Sequence, residues 1–150
     1  MVENGKNFGK VVQVSVVVRN IEQVAENWAR LLGVEKPKVI ETEEWDRTHM
    51  MYRGEPSSGR AKLAFFNFEN IVLELIEPVG GPSTWSEFLE KHGPGIHHIA
   101  FEVRDMDKGI SKLEESGGEL VQRGNFTGGS YAYVDACTTL GAIIELLNYK

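Results

Sequence analysis

The chain has 150 residues, of which 41% are hydrophobic and 25% charged, values that suit one soluble globular domain. Its formal net charge of −6 argues against a nucleic-acid partner, and its single cysteine excludes an internal disulfide or a thiolate metal cluster within one chain. No apolar run is long enough to span a membrane and residues 1–6 lack a signal-peptide hydrophobic region, so we expect a cytoplasmic protein with no membrane partner.

The first half of the chain predicts a strand, a helix and three further strands. After a loose lead-in at residues 1–9, a strand rich in β-branched residues occupies 10–18. Asn20 then caps a helix with apolar residues at helical spacing, and Gly33 ends it. The three further strands are predicted at residues 39–45, 61–68 and 70–77, with a loop at 53–59 between the first two.

The second half repeats this order after a linker. Prolines and glycines at residues 78–82 break the chain, a short helix is predicted at 83–91, and 92–95 form a turn. A strand and an Asp105-capped helix follow, and then strands at 120–123, 130–135 and 142–148.

Two offsets define an internal repeat. Gln13 and His98 are 85 positions apart, and the same offset aligns Asn20 with Asp105 without a gap. Near the end of each copy, an apolar strand is interrupted by a glutamate, namely Glu74 and Glu145. These lie 71 positions apart, so the second copy is 14 residues shorter, and we place the difference in the region of the 53–59 loop. Such a repeat decides the fold class.

Each copy brings polar side chains to the same face of its sheet. Strand alternation places His98 beside Ala100 and Gln13 beside Ser15, so a small residue leaves space next to each polar group. The same alternation places His97 on the outer or rim face.

The carboxylates on these strands suggest a metal site. A buried and unpaired carboxylate is costly, so a cation shared by Gln13, Glu74, His98 and Glu145 would offset the cost. Nitrogen and oxygen donors without sulfur suit a divalent metal ion such as Zn, Ni, Co, Mn or Mg. Four protein ligands leave two positions of an octahedral shell for substrate or water.

The repeat, the HIAF motif at residues 98–101 and the IEL motif at 144–146 resemble the vicinal oxygen chelate superfamily, also called the glyoxalase/bleomycin-resistance/dioxygenase superfamily. The resemblance implies an α+β fold in which two βαβββ modules form a cup-shaped mixed β-sheet around a metal. We expect one domain over 1–150, with module one at about 10–78, a linker at 79–94 and module two at about 95–149. It also implies metal ligands on the first and fourth strands of each module, and a homodimer.

The ordered ligands Gln13, Glu74, His98 and Glu145 look like those of some glyoxalase I enzymes (lactoylglutathione lyases). The resemblance implies a metal-dependent lyase or isomerase in which the metal stabilises an enediolate formed from a small-molecule substrate. By analogy Glu145 is the base, and Glu74 shares the role. Val17 and Pro78 depart from that family, which usually has an arginine and an asparagine there.

Three alternatives stay open. Residues 95–100 are similar to methylmalonyl-CoA epimerases, although those usually have the ligand order His, Gln, His, Glu. Bleomycin-resistance-type members bind small molecules without the full metal set. Ring-cleaving dioxygenases need two histidines and one glutamate, and Gln13 replaces one of those histidines.

Overall fold

The structure, a computed structural model, describes residues 5–150. Within them the strands are β1 (Lys10–Val17), β2 (Ile40–Glu41), β3 (Met51–Tyr52), β4 (Glu55–Pro56), β5 (Arg60–Asn67), β6 (Val72–Val79), β7 (Gly95–Glu102), β8 (Glu119–Phe126), β9 (Gly129–Ala136) and β10 (Ala142–Tyr149). The helices are α1 (Gly5–Phe8), α2 (Ile21–Leu32), α3 (Trp45–Thr48), α4 (Thr84–His92), α5 (Met106–Glu115) and α6 (Cys137–Leu140).

All ten described strands form one curled sheet in the order β2-β5-β6-β1-β7-β10-β9-β8-β3-β4. The first strands of the two modules, β1 and β7, lie antiparallel at its centre. The last strand of each module flanks them, since β6 runs parallel to β1 and β10 runs parallel to β7. This arrangement confirms the predicted α+β fold with paired βαβββ modules in a cup-shaped mixed sheet.

Both module helices begin where the sequence predicts, and α2 also ends at the predicted glycine. The Asn20 side chain accepts a hydrogen bond from the Gln23 amide at 3.2 Å, and the Asp105 side chain accepts one from the Lys108 amide at 3.0 Å. Gly33 ends α2 in the left-handed region with φ of 68°, where a side chain would add strain.

Each module helix covers its own apolar core. The core under α2 joins α2 to the sheet of module one through Ile21, Ala25, Ala29, Ala64, Phe66 and Leu75. The core under α5 joins α5 to the sheet of module two through Ile110, Leu113, Ala132, Val134, Ile144 and Leu146. Because the helices pack on one side of the sheet, its concave side is left for a site.

The predicted strand at residues 39–45 is wrong in extent. Only Ile40–Glu41 form β2, and Trp45 already begins α3. The ladder ends at Thr42 because its own hydroxyl accepts the hydrogen bond from the Ala61 amide, at 3.0 Å, that a backbone carbonyl would accept in a continuing strand.

The predicted loop at residues 53–59 is partly a hairpin. Arg53 and Gly54 form its turn with φ of 50° and 82°, between β3 and β4. Met51 of β3 pairs with Arg123 of β8 at the far edge of the sheet. The chain between β2 and β3 therefore crosses from one sheet edge to the other and closes one side of the cup. We call residues 42–50 the crossing segment.

The lead-in expected at residues 1–9 falls partly outside the described residues, at 1–4, and Gly5–Phe8 form the helix α1. Strand β8 extends beyond the predicted 120–123 at both ends. No described helix has the length and apolar character needed to cross a membrane.

Candidate metal centre

Two of the predicted ligands meet beside Ser15 on the concave face. Ser15 pairs with Glu74 on one neighbouring strand and with His98 on the other. Its side chain is fully buried, and its hydroxyl donates a hydrogen bond of 2.5 Å to Glu74 Oε1. The small residue that the sequence predicts beside the ligands is therefore also a hydrogen-bond donor to one of them.

The other two predicted ligands meet beside Ala100. Ala100 pairs with Gln13 on β1 and with Glu145 on β10, and it is fully buried. The methyl side chain leaves the space between the two polar side chains free. The residues paired with Ser15 and those paired with Ala100 lie side by side on the four central strands. The strand register therefore brings all four predicted ligands together.

The ligand atoms are close enough to share one ion. His98 Nε2 lies 3.0 Å from Glu145 Oε1 and 3.8 Å from Glu74 Oε1. Ligand atoms of these three residues all lie within 4.8 Å of one another. Without an ion, the Gln13 amide turns its nitrogen inward and donates to Glu74 Oε1 at 3.2 Å and to Glu145 Oε1 at 3.0 Å. The opposite orientation, which binding of an ion needs, places the amide oxygen 3.4 Å from His98 Nε2.

Burial sets the charge of the cluster. Burial raises the pKa of Glu74 and of Glu145, and the nearby Glu145 carboxylate raises the pKa of Glu74 further. Burial also lowers the pKa of His98 to about 3, so its imidazole is neutral at pH 7. Two buried carboxyls beside a neutral imidazole need either protons or a cation to avoid a large desolvation cost.

The donor set fits a divalent ion. Two carboxylates, one amide oxygen and one neutral imidazole nitrogen are ligands that Zn, Ni, Co or Mn accept. The two carboxylates would balance both positive charges of the ion. Metal binding by these residues stays a prediction, and their placement around a common point supports it.

The structure contradicts the expected position of His97. This residue is 3% exposed, and its Nδ1 lies 2.7 Å from Nδ1 of His98. The cause is a bulge, because Ser15 pairs with His98 whereas Val16 pairs with Ile96, which leaves His97 as the extra residue. A bulge re-aims a side chain, so strand alternation assigned His97 to the wrong face.

The contact between the two histidines constrains their tautomers. Of two facing nitrogens of neutral imidazoles, one must donate the hydrogen and the other accept it. If His98 Nε2 binds an ion, its Nδ1 carries the hydrogen and His97 Nδ1 accepts. His97 Nε2 then donates to Thr84 Oγ1, which lies 3.2 Å away. His97 thus holds His98 in the tautomer that a metal ligand needs.

Sequence reasoning also missed Tyr133. Its ring is 2% exposed, and Trp85 Nε1 donates to its hydroxyl at 3.1 Å. Burial raises the pKa of Glu145, and the nearby hydroxyl of Tyr133 opposes that rise by favouring the ionised carboxylate. Nothing in the alternation pattern distinguishes Tyr133 from a packing residue, and only its pairing with Glu145 on the next strand shows its role.

A cavity of about 420 Å³ opens beside the cluster, a size that suits a small organic ligand. The crossing segment forms one wall, and Thr127 fastens it to module two by donating a hydrogen bond of 2.6 Å to Glu43. The apolar and aromatic residues that line the cavity include Ile40, Met50, Leu63, Phe65, Trp85, Phe126, Tyr131, Tyr133, Leu147 and Tyr149.

Comparisons with known proteins agree with the fold. The model of the Glyoxalase/Bleomycin resistance protein/Dioxygenase superfamily matches residues 12–134. The chain is 29% identical over 118 residues, covering 78% of each chain, to an ethylmalonyl-CoA/methylmalonyl-CoA epimerase of Cereibacter sphaeroides. It is 33% identical over 94 residues to the Bacillus subtilis protein named "Uncharacterized protein YqjC", covering 61% of this chain and 67% of that one.

A solved structure gives the same picture. The crystal structure of methylmalonyl-CoA epimerase from Mycobacterium tuberculosis superposes with a TM-score of 0.69 at 21% identity. The match covers 100% of this chain and 93% of the other. At that identity the match shows the shared fold.

Proposed function

The chain belongs to the glyoxalase/bleomycin resistance/dioxygenase superfamily, and we propose that it is a metal-dependent isomerase that removes and returns a proton at a carbon next to a carbonyl. One observation carries the proposal: Glu74 and Glu145 both reach His98 from opposite flanking strands, at the inner end of the cavity. Two carboxyls around one reacting carbon can take a proton on one side and return it on the other.

The relatives favour an isomerase over the lactoylglutathione lyase that the ligand order first suggests. Several similar proteins are named as epimerases, and the chemistry of an epimerase returns the proton to the carbon it left. The basic residue expected of a glutathione-binding lyase is replaced by Val17, which is fully buried in an apolar cluster with Trp85. These observations favour an epimerase-like isomerase over a lactoylglutathione lyase.

In this proposal four residues bind the ion, and one of them also removes the proton. Gln13, Glu74, His98 and Glu145 would hold the divalent ion, and a bound ion would polarise the substrate carbonyl and make the neighbouring C–H more acidic. Glu145 takes the proton in this proposal. Burial raises the pKa of Glu145 and so strengthens it as a base, in opposition to the lowering that a bound ion would cause.

Glu74 delivers a proton to the opposite face of the carbon after it has taken one up from solvent and loosened from the ion, and Glu145 loses its proton to solvent to complete the cycle. Other groups hold the two carboxyls in place. The hydroxyl of Ser15 fixes Glu74 at 2.5 Å, and the hydroxyl of Tyr133 lies against Glu145. The apolar walls keep water from competing for the proton.

The test is deuterium exchange in D₂O with the zinc-loaded protein and a panel of acyl thioesters that includes methylmalonyl-CoA. We expect deuterium at the carbon next to the thioester carbonyl, without net conversion of the thioester to another compound. Glu145→Gln should abolish the exchange of the enantiomer whose proton faces Glu145, whereas Glu69→Gln, in an exposed turn, should keep the exchange of both enantiomers. Exchange of both enantiomers that survives in Glu145→Gln would remove Glu145 as the base.

The ligand order supports a second candidate, a glyoxalase-type lyase, because Gln13, Glu74, His98 and Glu145 match some glyoxalase I enzymes. The hemithioacetal of methylglyoxal and glutathione is therefore run as a separate substrate. Its conversion to a thioester would favour the lyase, and no conversion beside clear thioester exchange would favour the isomerase.

A further inference from the structure

The charged side chains that line the cavity are all acidic. Glu74 and Glu145 lie at the inner end, and Glu41 and Glu43 lie toward the crossing segment. Among the described residues that line the cavity, none is a lysine, an arginine or a histidine. A negatively charged group that entered the cavity would therefore find no side-chain cation there.

The two rim glutamates are each paired with an arginine that lies outside the cavity lining. Arg60 forms an ion pair with Glu41 and also donates to the Thr42 carbonyl at 3.2 Å. Arg47 forms an ion pair of 3.2 Å with Glu43. Since both guanidiniums point at carboxylates of the chain itself, a carboxylate of the substrate would have to compete with Glu41 and Glu43 for them.

The candidate ligands use up the charge of a divalent ion. Glu74 and Glu145 together carry two negative charges when ionised, which equals the charge of the ion. A further carboxylate from the substrate would leave the buried cluster with a net negative charge among mostly apolar walls, and such a charge is costly to desolvate.

We propose that the part of the substrate inside this cavity carries no ionised group. The substrate class is an acyl thioester or α-hydroxycarbonyl compound with an apolar substituent, and not one with a second free carboxylate on the reacting carbon. The inference rests on the proposed function and deepens it. It separates this chain from relatives named for methylmalonyl-CoA, because a methylmalonyl group carries such a carboxylate.

A matched pair of ligands tests the charge requirement directly. The methylmalonyl thioester of N-acetylcysteamine and its methyl ester share the reacting carbon and its substituents, except that a neutral methyl ester replaces the free carboxylate. Binding of each to the zinc-loaded protein is measured by calorimetry at pH 7.5. We expect the neutral ester to bind at least about tenfold more tightly. Equal or tighter binding of the acid would overturn the proposal.

A substitution at the rim of the cavity tests the charge requirement independently. Glu41→Gln removes one negative charge from the lining and leaves the Arg60 guanidinium less compensated, so the acid should gain affinity by a few fold while the ester does not change. Glu69→Gln, remote from the rim pair in an exposed turn, should change neither. No gain for the acid in Glu41→Gln would contradict the role assigned to the rim charges.

The same samples separate this inference from the proposed function. Deuterium exchange is followed on both ligands, after subtraction of the uncatalysed rate. An ester that binds tightly without exchange would overturn the isomerase and leave the charge inference standing. An acid that binds and exchanges faster than the ester would support the isomerase and overturn the charge inference.

Discussion

Phe65 and Tyr133 occupy equivalent places in the two modules, and each pairs with a carboxylate of the candidate centre. Phe65 on β5 pairs with Glu74, and Tyr133 on β9 pairs with Glu145. A phenyl ring therefore adjoins one carboxylate, and a phenol adjoins the other. The repeat gives the two carboxyls similar positions but different neighbours.

The missing hydroxyl beside Glu74 is supplied from the opposite side. Ser15 on β1 donates to Glu74, whereas the equivalent position in module two is Ala100. Each carboxyl thus has one hydroxyl partner from a neighbouring strand, and one substitution can remove either partner without touching the other.

These two hydroxyls provide a test of which carboxyl is the base. Burial raises the pKa of both carboxyls and each hydroxyl opposes that rise, so Tyr133→Phe should raise the pKa of Glu145 further and Ser15→Ala should raise that of Glu74 further. If Glu145 is the base, Tyr133→Phe moves the acid limb of the exchange rate to higher pH and Ser15→Ala moves it less. A larger shift in Ser15→Ala would assign the base to Glu74. Tyr52→Phe, which removes a hydroxyl that donates to Glu87 away from the cavity lining, is the control.

His97 should act on metal affinity without being a ligand. His97→Phe removes the acceptor of the His98 Nδ1 hydrogen, so the affinity for Co²⁺, followed by its visible absorption, should fall by about 10–100-fold. His97→Gln keeps an acceptor and should restore part of the affinity. In wild type, nitrogen-15 NMR of His98 should show the hydrogen on Nδ1.

The control for this series is His92→Gln, at an exposed position at the end of α4. Equal affinities in His97→Phe and His92→Gln, both folded, would show that His97 does not position His98.

The metal-free protein should lose stability as pH rises. Burial raises the folded-state pKa of Glu74 and Glu145. Their contribution to the free energy of unfolding is therefore present below the ordinary carboxyl pKa of about 4.3 and is lost as pH rises toward the raised values. Burial lowers the pKa of His97 and His98, whose contribution is lost as pH falls below about 6.5.

Between about pH 6.5 and about pH 8 the loss of stability caused by the two carboxyls dominates, so the Tm of the metal-free protein should fall as pH rises. Excess zinc should cancel or reverse this slope, because metal binding needs ionised carboxylates. The double variant Glu74→Gln/Glu145→Gln should show no such slope. A flat Tm in the metal-free wild type would contradict the burial of two titrating carboxyls.

The central part of the fold and site follows from the sequence because the repeat is strict there. The offset between Gln13 and His98 fixes the equivalence of β1 and β7, and the glutamates that interrupt β6 and β10 mark the matching last strands. Small residues at 15 and 100 indicate where the polar side chains meet. The expected homodimer and cytoplasmic location stay predictions.

The remaining features depend on contacts between distant parts of the chain. Alternation fails at His97 because a bulge against β1 adds one residue to β7. The strand predicted at 39–45 ends early because the Thr42 hydroxyl replaces a backbone acceptor. Strand β3 pairs with β8, far away in sequence, and no local pattern specifies that pairing.

Metal stoichiometry tests the central claim most directly. Wild type and His98→Ala are incubated with Zn, Ni, Co or Mn, freed of excess ion and subjected to elemental analysis. We expect about one divalent ion per chain in wild type and its loss in folded His98→Ala, because His98 Nε2 faces both carboxylates. No bound ion in wild type with any of these metals would contradict the metal centre and leave the cavity as a site for binding small molecules.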